Sequence, residues 1–268
     1  MCLRSRKNAW AFRLRWELKR SKTAKFLTLT YNPENLPTVP TKTGTRMSLR
    51  KRDLFRFINS ARKANDRYFT DQGLETPDFK MKYYAVGEYG TKGGRPHYHI
   101  ILFNMHEKVF DKLPGIWDKG YIHLGNVNGK SINYAAKYLI DIDEKHNKGN
   151  VERTFSAMSK GLGDNYLKAN KDWHKSDQDT PEDWRLHVIN DEGFKSPLPR
   201  YYKNKLFDEA EKQVIADMMF EKSNKAHLEN QEALEKTYGL LAVGMRTREK
   251  KEHKNESIKT KSTKNNTL

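Results

Sequence analysis

Between Lys82 and Phe103 two β-favouring runs flank a glycine-rich turn, and this pattern constrains the fold more than any other stretch of the chain. Lys82 to Glu88 reads as one strand, Gly90 to Gly94 as the turn, and His97 to Phe103 as the antiparallel return. On a strand, residues i and i+2 project from one face, so His97 and His99 present two imidazoles side by side. Glu88 closes the first run and, in a compatible register, comes back opposite the histidines. Two imidazoles and a carboxylate with open positions suit Mg²⁺ or Mn²⁺ acting as a Lewis acid on phosphate. The same residues also fit a bland role, as structural histidines and an exposed strand-end acid. Arg95, just ahead of His97, is either a phosphate contact or a solvated turn residue.

Around this hairpin the patterns alternate between sheet and helix. Phe26 to Tyr31 reads as a strand closed by Asn32-Pro33, and Pro33, Pro37 and Pro40 make the next segment an irregular loop to Thr45. Ser48 has the character of an N-cap for a helix whose stripe Leu54, Phe57, Ile58 and Ala61 runs to about Phe69. A short helix from Glu107 to Leu113, a strand from Tyr121 to Gly125 and a helix from Ile132 to Ile140 follow. Asp141 to Pro199 is polar and carries no assignable pattern. Tyr201 to about Gly239 is helix-favouring, with Leu206, Ala210, Val214 and Met218 at spacing four. The fold class is α+β.

A second group of reactive side chains is Tyr134-Ala135-Ala136-Lys137-Tyr138. On a helix, positions i, i+3 and i+4 share one face, which puts two phenols beside one ammonium. The small Ala135 and Ala136 would leave that helix surface open. A tyrosine hydroxyl can be a covalent nucleophile once activated, and a nearby lysine would favour its phenolate or neutralise a phosphate. An amphipathic tyrosine pair on a surface is the bland alternative.

Charge narrows the partner. The chain has 51 Lys plus Arg against 34 Asp plus Glu, a net +17, spread along its length, so a polyanion is the expected ligand. Arg4 to Lys25 holds nine Lys or Arg and one acid, Glu17, with Trp10, Leu14 and Leu18 at helical spacing. That segment reads as an amphipathic helix whose Arg4, Arg6, Arg13, Arg15, Lys19 and Arg20 contact phosphates. Met245 to Leu268 has eight Lys or Arg, three acids and almost nothing apolar, as expected of a disordered basic tail. One cysteine, Cys2, excludes an internal disulfide or a Cys-rich zinc site. No apolar run reaches the length of a membrane span, so a cytoplasmic compartment is the default.

Together, the motifs resemble those of the HUH endonucleases, and more narrowly the rolling-circle replication initiators of gokushovirus-type Microviridae phages. Phe26 to Tyr31 is similar to their first strand motif, His97-Tyr98-His99 to their metal motif, and Tyr134 to Tyr138 to their Tyr-X-X-Lys-Tyr motif. Gly87-Glu88-Tyr89-Gly90, Arg95-Pro96 and Leu198-Pro199-Arg200-Tyr201-Tyr202 are also like those proteins. The likeness covers roughly residues 4 to 207; a cysteine-bearing lead-in common in that group is reduced here to Cys2.

The resemblance implies a central antiparallel sheet of about five strands flanked by helices. On that reading residues 1–200 form the nuclease domain, 201–244 a helical extension and 245–268 the tail. It implies Mg²⁺ or Mn²⁺ on His97 and His99 with Glu88 as third ligand, Tyr134 as first nucleophile, Tyr138 as second, and Lys137 near the reacting tyrosine. Single-stranded DNA at a replication origin would be the substrate, host helicase and polymerase the partners, and the host cytoplasm the location, with no membrane and no small-molecule substrate. A relaxase or transposase of the same fold, a water-using phosphoesterase and a non-catalytic single-strand-binding or packaging protein are the competing readings. The last accounts for the charge and for Trp10 and Trp16, which could stack on bases, but not for the histidine and tyrosine groups.

Overall fold

A computed structural model describes residues 3–42, 44–74, 80–90, 93–137 and 150–265, with side chains described between residues 5 and 237. The order of elements is α1 (Leu3–Arg20), β1 (Ala24–Tyr31), β2 (Thr38–Thr41), β3 (Gly44–Met47), α2 (Lys51–Asp71), β4 (Lys82–Tyr89), β5 (Pro96–Phe103), α3 (Glu107–Phe110) and α4 (Leu113–Ile116). Then come β6 (Gly120–Asn126), α5 (Gly129–Lys137), β7 (Phe155–Met158), α6 (Asn165–His174), β8 (His187–Ile189), β9 (Lys195–Pro197), α7 (Arg200–Leu206) and α8 (Glu209–Asn265). Five strands form one antiparallel sheet in the order β6-β1-β5-β4-β7.

Strand alternation assigns the two faces of this sheet. Leu27, Leu29, Tyr31, Tyr98, Ile100 and Leu102 point to one side, where they pack with Leu54, Phe57, Ile58 and Ala61 of α2. Tyr84, Val86, Ile101 and Phe103 point to the other, against Ala11 and Leu14 of α1 and Ile132, Ala135 and Ala136 of α5. Helices on both faces explain why β5 is a nearly continuous buried run rather than an alternating one. On the α2 side, the Tyr31 hydroxyl donates to Asp53 at 3.0 Å and bonds the Tyr98 hydroxyl at 2.8 Å, so the residue between the two histidines serves the core. Burial pushes the Tyr98 phenol up to about 12.

The segment expected to be an irregular loop to Thr45 is a two-stranded ribbon, β2 paired with β3. Proline is tolerated there because a ribbon has unpaired edges, and Pro40 sits opposite Thr45. Ser48 is not the N-cap of α2: the helix starts at Lys51, with Arg50 as an extended cap residue that offers no side-chain bond. The buried Ser48 hydroxyl accepts the Glu152 amide at 2.9 Å, and the Glu152 carboxylate accepts the Lys51 amide at 2.9 Å. An acid about a hundred positions away thus satisfies the helix start.

Residues 150–199, unassignable from sequence, supply the edge strand β7, the helix α6 and the β8–β9 hairpin. Strands of three or four residues are too short for periodicity to register. This segment also seats α1. Glu17, the single acid of its basic stretch, is fully buried and accepts from Gly163 N at 2.7 Å and from Arg20 at 2.9 Å through both oxygens. Lys82 Nζ lies 3.3 Å from Glu17 and also donates to Gly161 O at 3.0 Å. Arg13 turns inward too, 8% exposed, with Nε and Nη2 donating to Leu162 O at 3.1 and 2.9 Å. The expected picture of one apolar stripe with basic residues on the outside is corrected accordingly: Arg13 and Arg20 are structural partners inside the fold.

The chain divides into two units, Met1–Leu206 and Phe207–Leu268, so the first extends past the expected boundary at 200. The reason is Tyr202, buried with its hydroxyl donating to Gly163 O at 2.7 Å and its ring against Phe12 and Tyr166. The helix expected from Tyr201 is two helices, because Asp208 caps the second. Asp208 accepts the Glu211 amide at 2.8 Å while Glu211 accepts the Asp208 amide at 3.0 Å, a capping box. In the second unit α8 continues to Asn265, through Gly239, Gly244 and the stretch expected to be disordered. Lys, Arg, Glu and Gln are good helix formers, so a polar composition does not by itself oppose the helix. Among the described residues no helix is long and apolar enough to cross a membrane.

Candidate active site

The β4–β5 register pairs Glu88 with His97 and Val86 with His99, which brings all three polar side chains to the α5 side of the sheet. His99 Nε2 is 2.7 Å from Glu88 Oε1, and His97 Nε2 is 4.0 Å from the same oxygen. The two imidazole centroids are 5.9 Å apart. Glu88 is 7% and His99 5% exposed, so this carboxylate and ring sit largely out of water. Burial holds His97 below the ordinary histidine value, with His99 and Arg95 adding to the effect and Glu88 opposing it. A neutral imidazole with an available lone pair follows at neutral pH.

Three side chains that sequence reading did not single out hold this group in place. Thr28, paired with His99 across β1–β5, has its hydroxyl 3.1 Å from His99 Nδ1 and so fixes the ring's orientation. Phe26, two residues earlier on the same strand face, stacks on His99 with centroids 5.6 Å apart. Gly90 leaves room for His97: a Cβ there would stand 2.8 Å from His97 Cε1. Period-two alternation along Phe26 to Tyr31 is the available signal for the first two, but it needs the register of a strand about 70 residues away.

Above the histidines lies α5. Ile132, Ala135 and Ala136 are buried, so the alanines do not leave the helix surface open as expected; they let the backbone settle onto the sheet and α1. The opposite side of the helix carries Tyr134, 45% exposed, and Lys137, also exposed. The Tyr134 ring stands edge-on to His99 at 5.3 Å and to Phe26 at 6.2 Å. Tyr138 lies outside the described residues.

Among the described residues, no three His, Cys, Asp or Glu side chains are disposed as a ready metal cage, since Glu88 bonds His99 directly. The donor chemistry nonetheless fits a divalent cation: two nitrogens and one carboxylate oxygen converge, one imidazole is held neutral, and the other is oriented by a hydroxyl from behind.

A family model for the replication-associated protein ORF2 family matches residues 24–143. Over 236 residues the chain is 32% identical to the replication-associated protein ORF2 of Spiroplasma virus 4, covering 81% of this chain and 68% of that one. The chain belongs to the replication-associated protein ORF2 family. It is also 26% identical to replication-associated protein VP4 of Bdellovibrio phage phiMH2K over 200 residues, 67% of this chain and 56% of that protein. Replication-associated protein ORF4 of Chlamydia phage 1 is 26% identical over 153 residues, 47% of this chain and 36% of its own. These relatives are Microviridae proteins, as the motif resemblance implies. No solved structure matches.

In this replication-associated protein the family match runs from β1 past α5 and so contains Glu88, His97, His99, Tyr134 and Lys137. The basic residues expected to contact phosphate are less uniform. Arg6 is exposed and Arg15 half-buried on α1, Lys19 is exposed and paired with Asp191, and Arg4 lies outside the described side chains. Arg20 binds Glu17 and Asp164, and Arg13 is committed to Leu162 O. Arg95 Nη2 donates to Tyr31 O at 2.6 Å, tying the β4–β5 turn to the end of β1.

Proposed function

We propose that this replication-associated protein initiates rolling-circle replication by nicking and rejoining single-stranded DNA through Tyr134. The observation that supports it most is the Tyr134 ring 5.3 Å from His99, whose Nε2 is bonded to Glu88. An exposed phenol on one helix stands over a buried histidine–carboxylate group on the sheet, and packing alone gives no reason for that meeting. His97, His99 and Glu88 would hold Mg²⁺ or Mn²⁺, which when bound supplies Lewis-acid polarisation of the scissile phosphate.

The chain's own residues do the rest. Tyr134 Oη attacks phosphorus, the new O–P bond forms as the bond to O3′ breaks, and the tyrosine proton is lost to water. The products are a 5′-phosphotyrosyl link and a 3′-hydroxyl that a host polymerase could extend. Lys137, three residues on along the same helix face, offsets charge on the phosphate during attack. Rejoining reverses these bonds: a 3′-hydroxyl displaces Tyr134, and no ATP is consumed because the link conserves the phosphodiester. Tyr138, one turn along from Tyr134, would supply the second nucleophile. Unwinding would come from a host helicase, and the reaction would run in the host cytoplasm.

The test is covalent capture. Incubated with Mn²⁺ and a single-stranded oligonucleotide carrying the origin sequence, the protein should acquire DNA on a tyrosine of α5, and chelator should prevent it. An adduct that forms at the same rate in Tyr134→Phe protein refutes the assignment of the nucleophile. Binding without any adduct would instead favour a purely DNA-binding role.

A further inference from the structure

The Leu198 to Tyr202 motif has no part in the chemistry above, yet the fold brings it to a second basic site. Leu198, Pro199 and Tyr202 are buried, whereas Arg200 is exposed and Tyr201 half-buried. Tyr201 lies against Arg13, whose guanidinium carbon is 3.7 Å from its ring centroid and 4.1 Å from that of Trp10. The two bonds from Arg13 to Leu162 O hold that guanidinium fixed between its neighbours. Beside it a cleft of about 340 Å³ opens, lined by Arg6, Trp10, Arg13, Arg200 and Tyr201 with Ala9 and Pro199, and no acidic residue is among them.

We propose that this cleft seats one nucleotide of a single-stranded DNA chain, with its phosphate against Arg6 and Arg200 and its base against Trp10 or Tyr201. The identification rests on the reading that single-stranded DNA is this protein's substrate. Three arginines without a carboxylate select an anion, and two aromatic rings offer a stacking surface that any base can use. The volume admits one splayed-out nucleotide and no duplex. Arg13 is already immobilised by Leu162 O, so little further ordering is needed there on binding. Trp10 also packs against the cluster that contains Ala135 and Ala136. A strand held in the cleft is therefore anchored next to the helix that carries Tyr134.

Binding is measured with Tyr134→Phe protein in chelator, so that the result stands apart from cleavage and from the choice of nucleophile. An oligothymidylate containing 5-iododeoxyuridine, irradiated in the near ultraviolet, should crosslink to peptides containing Trp10 or Tyr201. The double variant Arg6→Gln/Arg200→Gln should weaken binding ~10-fold and lower the salt slope by about 1.4, the value for two lost single-strand phosphate contacts. Arg52→Gln/Arg56→Gln, the same charge change on the exposed side of α2, should do markedly less. Crosslinks confined to other peptides, or equal losses in the two double variants, overturn the proposal. So does equal affinity for thymidine monophosphate, which would make the cleft a free-nucleotide site.

Discussion

Replacing Glu17 by Gln tests whether the basic helix α1 is held by a buried charge rather than by its apolar stripe. The Glu17 side chain is fully buried, and its partners Arg20 and Lys82 are 17% and 18% exposed. Its two oxygens take Arg20 Nε and Nη2, each at 2.9 Å, Gly163 N at 2.7 Å and Lys82 Nζ at 3.3 Å. Glutamine keeps the shape but turns one oxygen into a donor. Whichever way the amide faces, it points N–H at another donor, and the cations lose their counter-charge. A hydrogen bond to a charged group contributes about 1.5–3 kcal/mol, and removing one member of a buried pair costs about 3–5 kcal/mol. We therefore expect a loss of about 3–5 kcal/mol. At roughly 2–4 °C per kcal/mol for a unit of this size, the midpoint should fall by about 10 °C. Thermal and urea unfolding followed by circular dichroism would measure it. Lys19→Ala, which breaks an ion pair 46% and 54% exposed, is the control and should cost under about 1 kcal/mol. A Glu17→Gln protein within about 1 kcal/mol of the parent would refute the argument.

Tyr134→Phe should lower adduct formation by at least ~10³-fold in a single-cleavage assay, since it removes the attacking oxygen with little change in packing. Tyr138→Phe should be milder there and more damaging where successive cutting and rejoining is required. Gly90→Ala should push the His97 ring aside, because the added Cβ would meet Cε1 at 2.8 Å. Mn²⁺ affinity, read by calorimetry, should drop about 10–100-fold while the protein still folds. His174 is fully buried between the Tyr166 hydroxyl and Arg185 O, and burial holds its pKa below 6.5. Below pH 6.5 the unfolded chain takes up a proton that the folded chain resists, so stability should fall as pH drops from 6.5, and rise again on return. Urea midpoints that coincide at about pH 7 and about pH 5 would contradict this.

Local chemistry explains what could be read from the residues in order. The β4–β5 hairpin, the shared face of His97 and His99, and Tyr134 with Lys137 on one helix face all depend on neighbours within a few positions. Strand and helix periodicity determine those relations whatever the rest of the chain does. The capping box at Asp208 and Glu211 is equally local, but it sits inside a long run of helix formers that reads as one uninterrupted helix. The tail's polar composition is ambiguous, because the same lysines and glutamates serve a solvated coil and a solvated helix.

What only the tertiary structure decided concerns partners far apart in sequence. Glu152 capping α2, Thr28 behind His99, and Glu17 and Arg13 buried by Leu162 and Gly163 are each separated from their partners by 71 to 149 residues. Nothing in the local pattern distinguishes Arg13, which the fold consumes, from Arg6, which it leaves exposed: both are arginines on one basic helix. Their difference is set by which segment packs against each turn of that helix. Burial makes a charge bind whatever polar group faces it, and that group is supplied by the register of the sheet and the path of the chain, not by the neighbours in sequence.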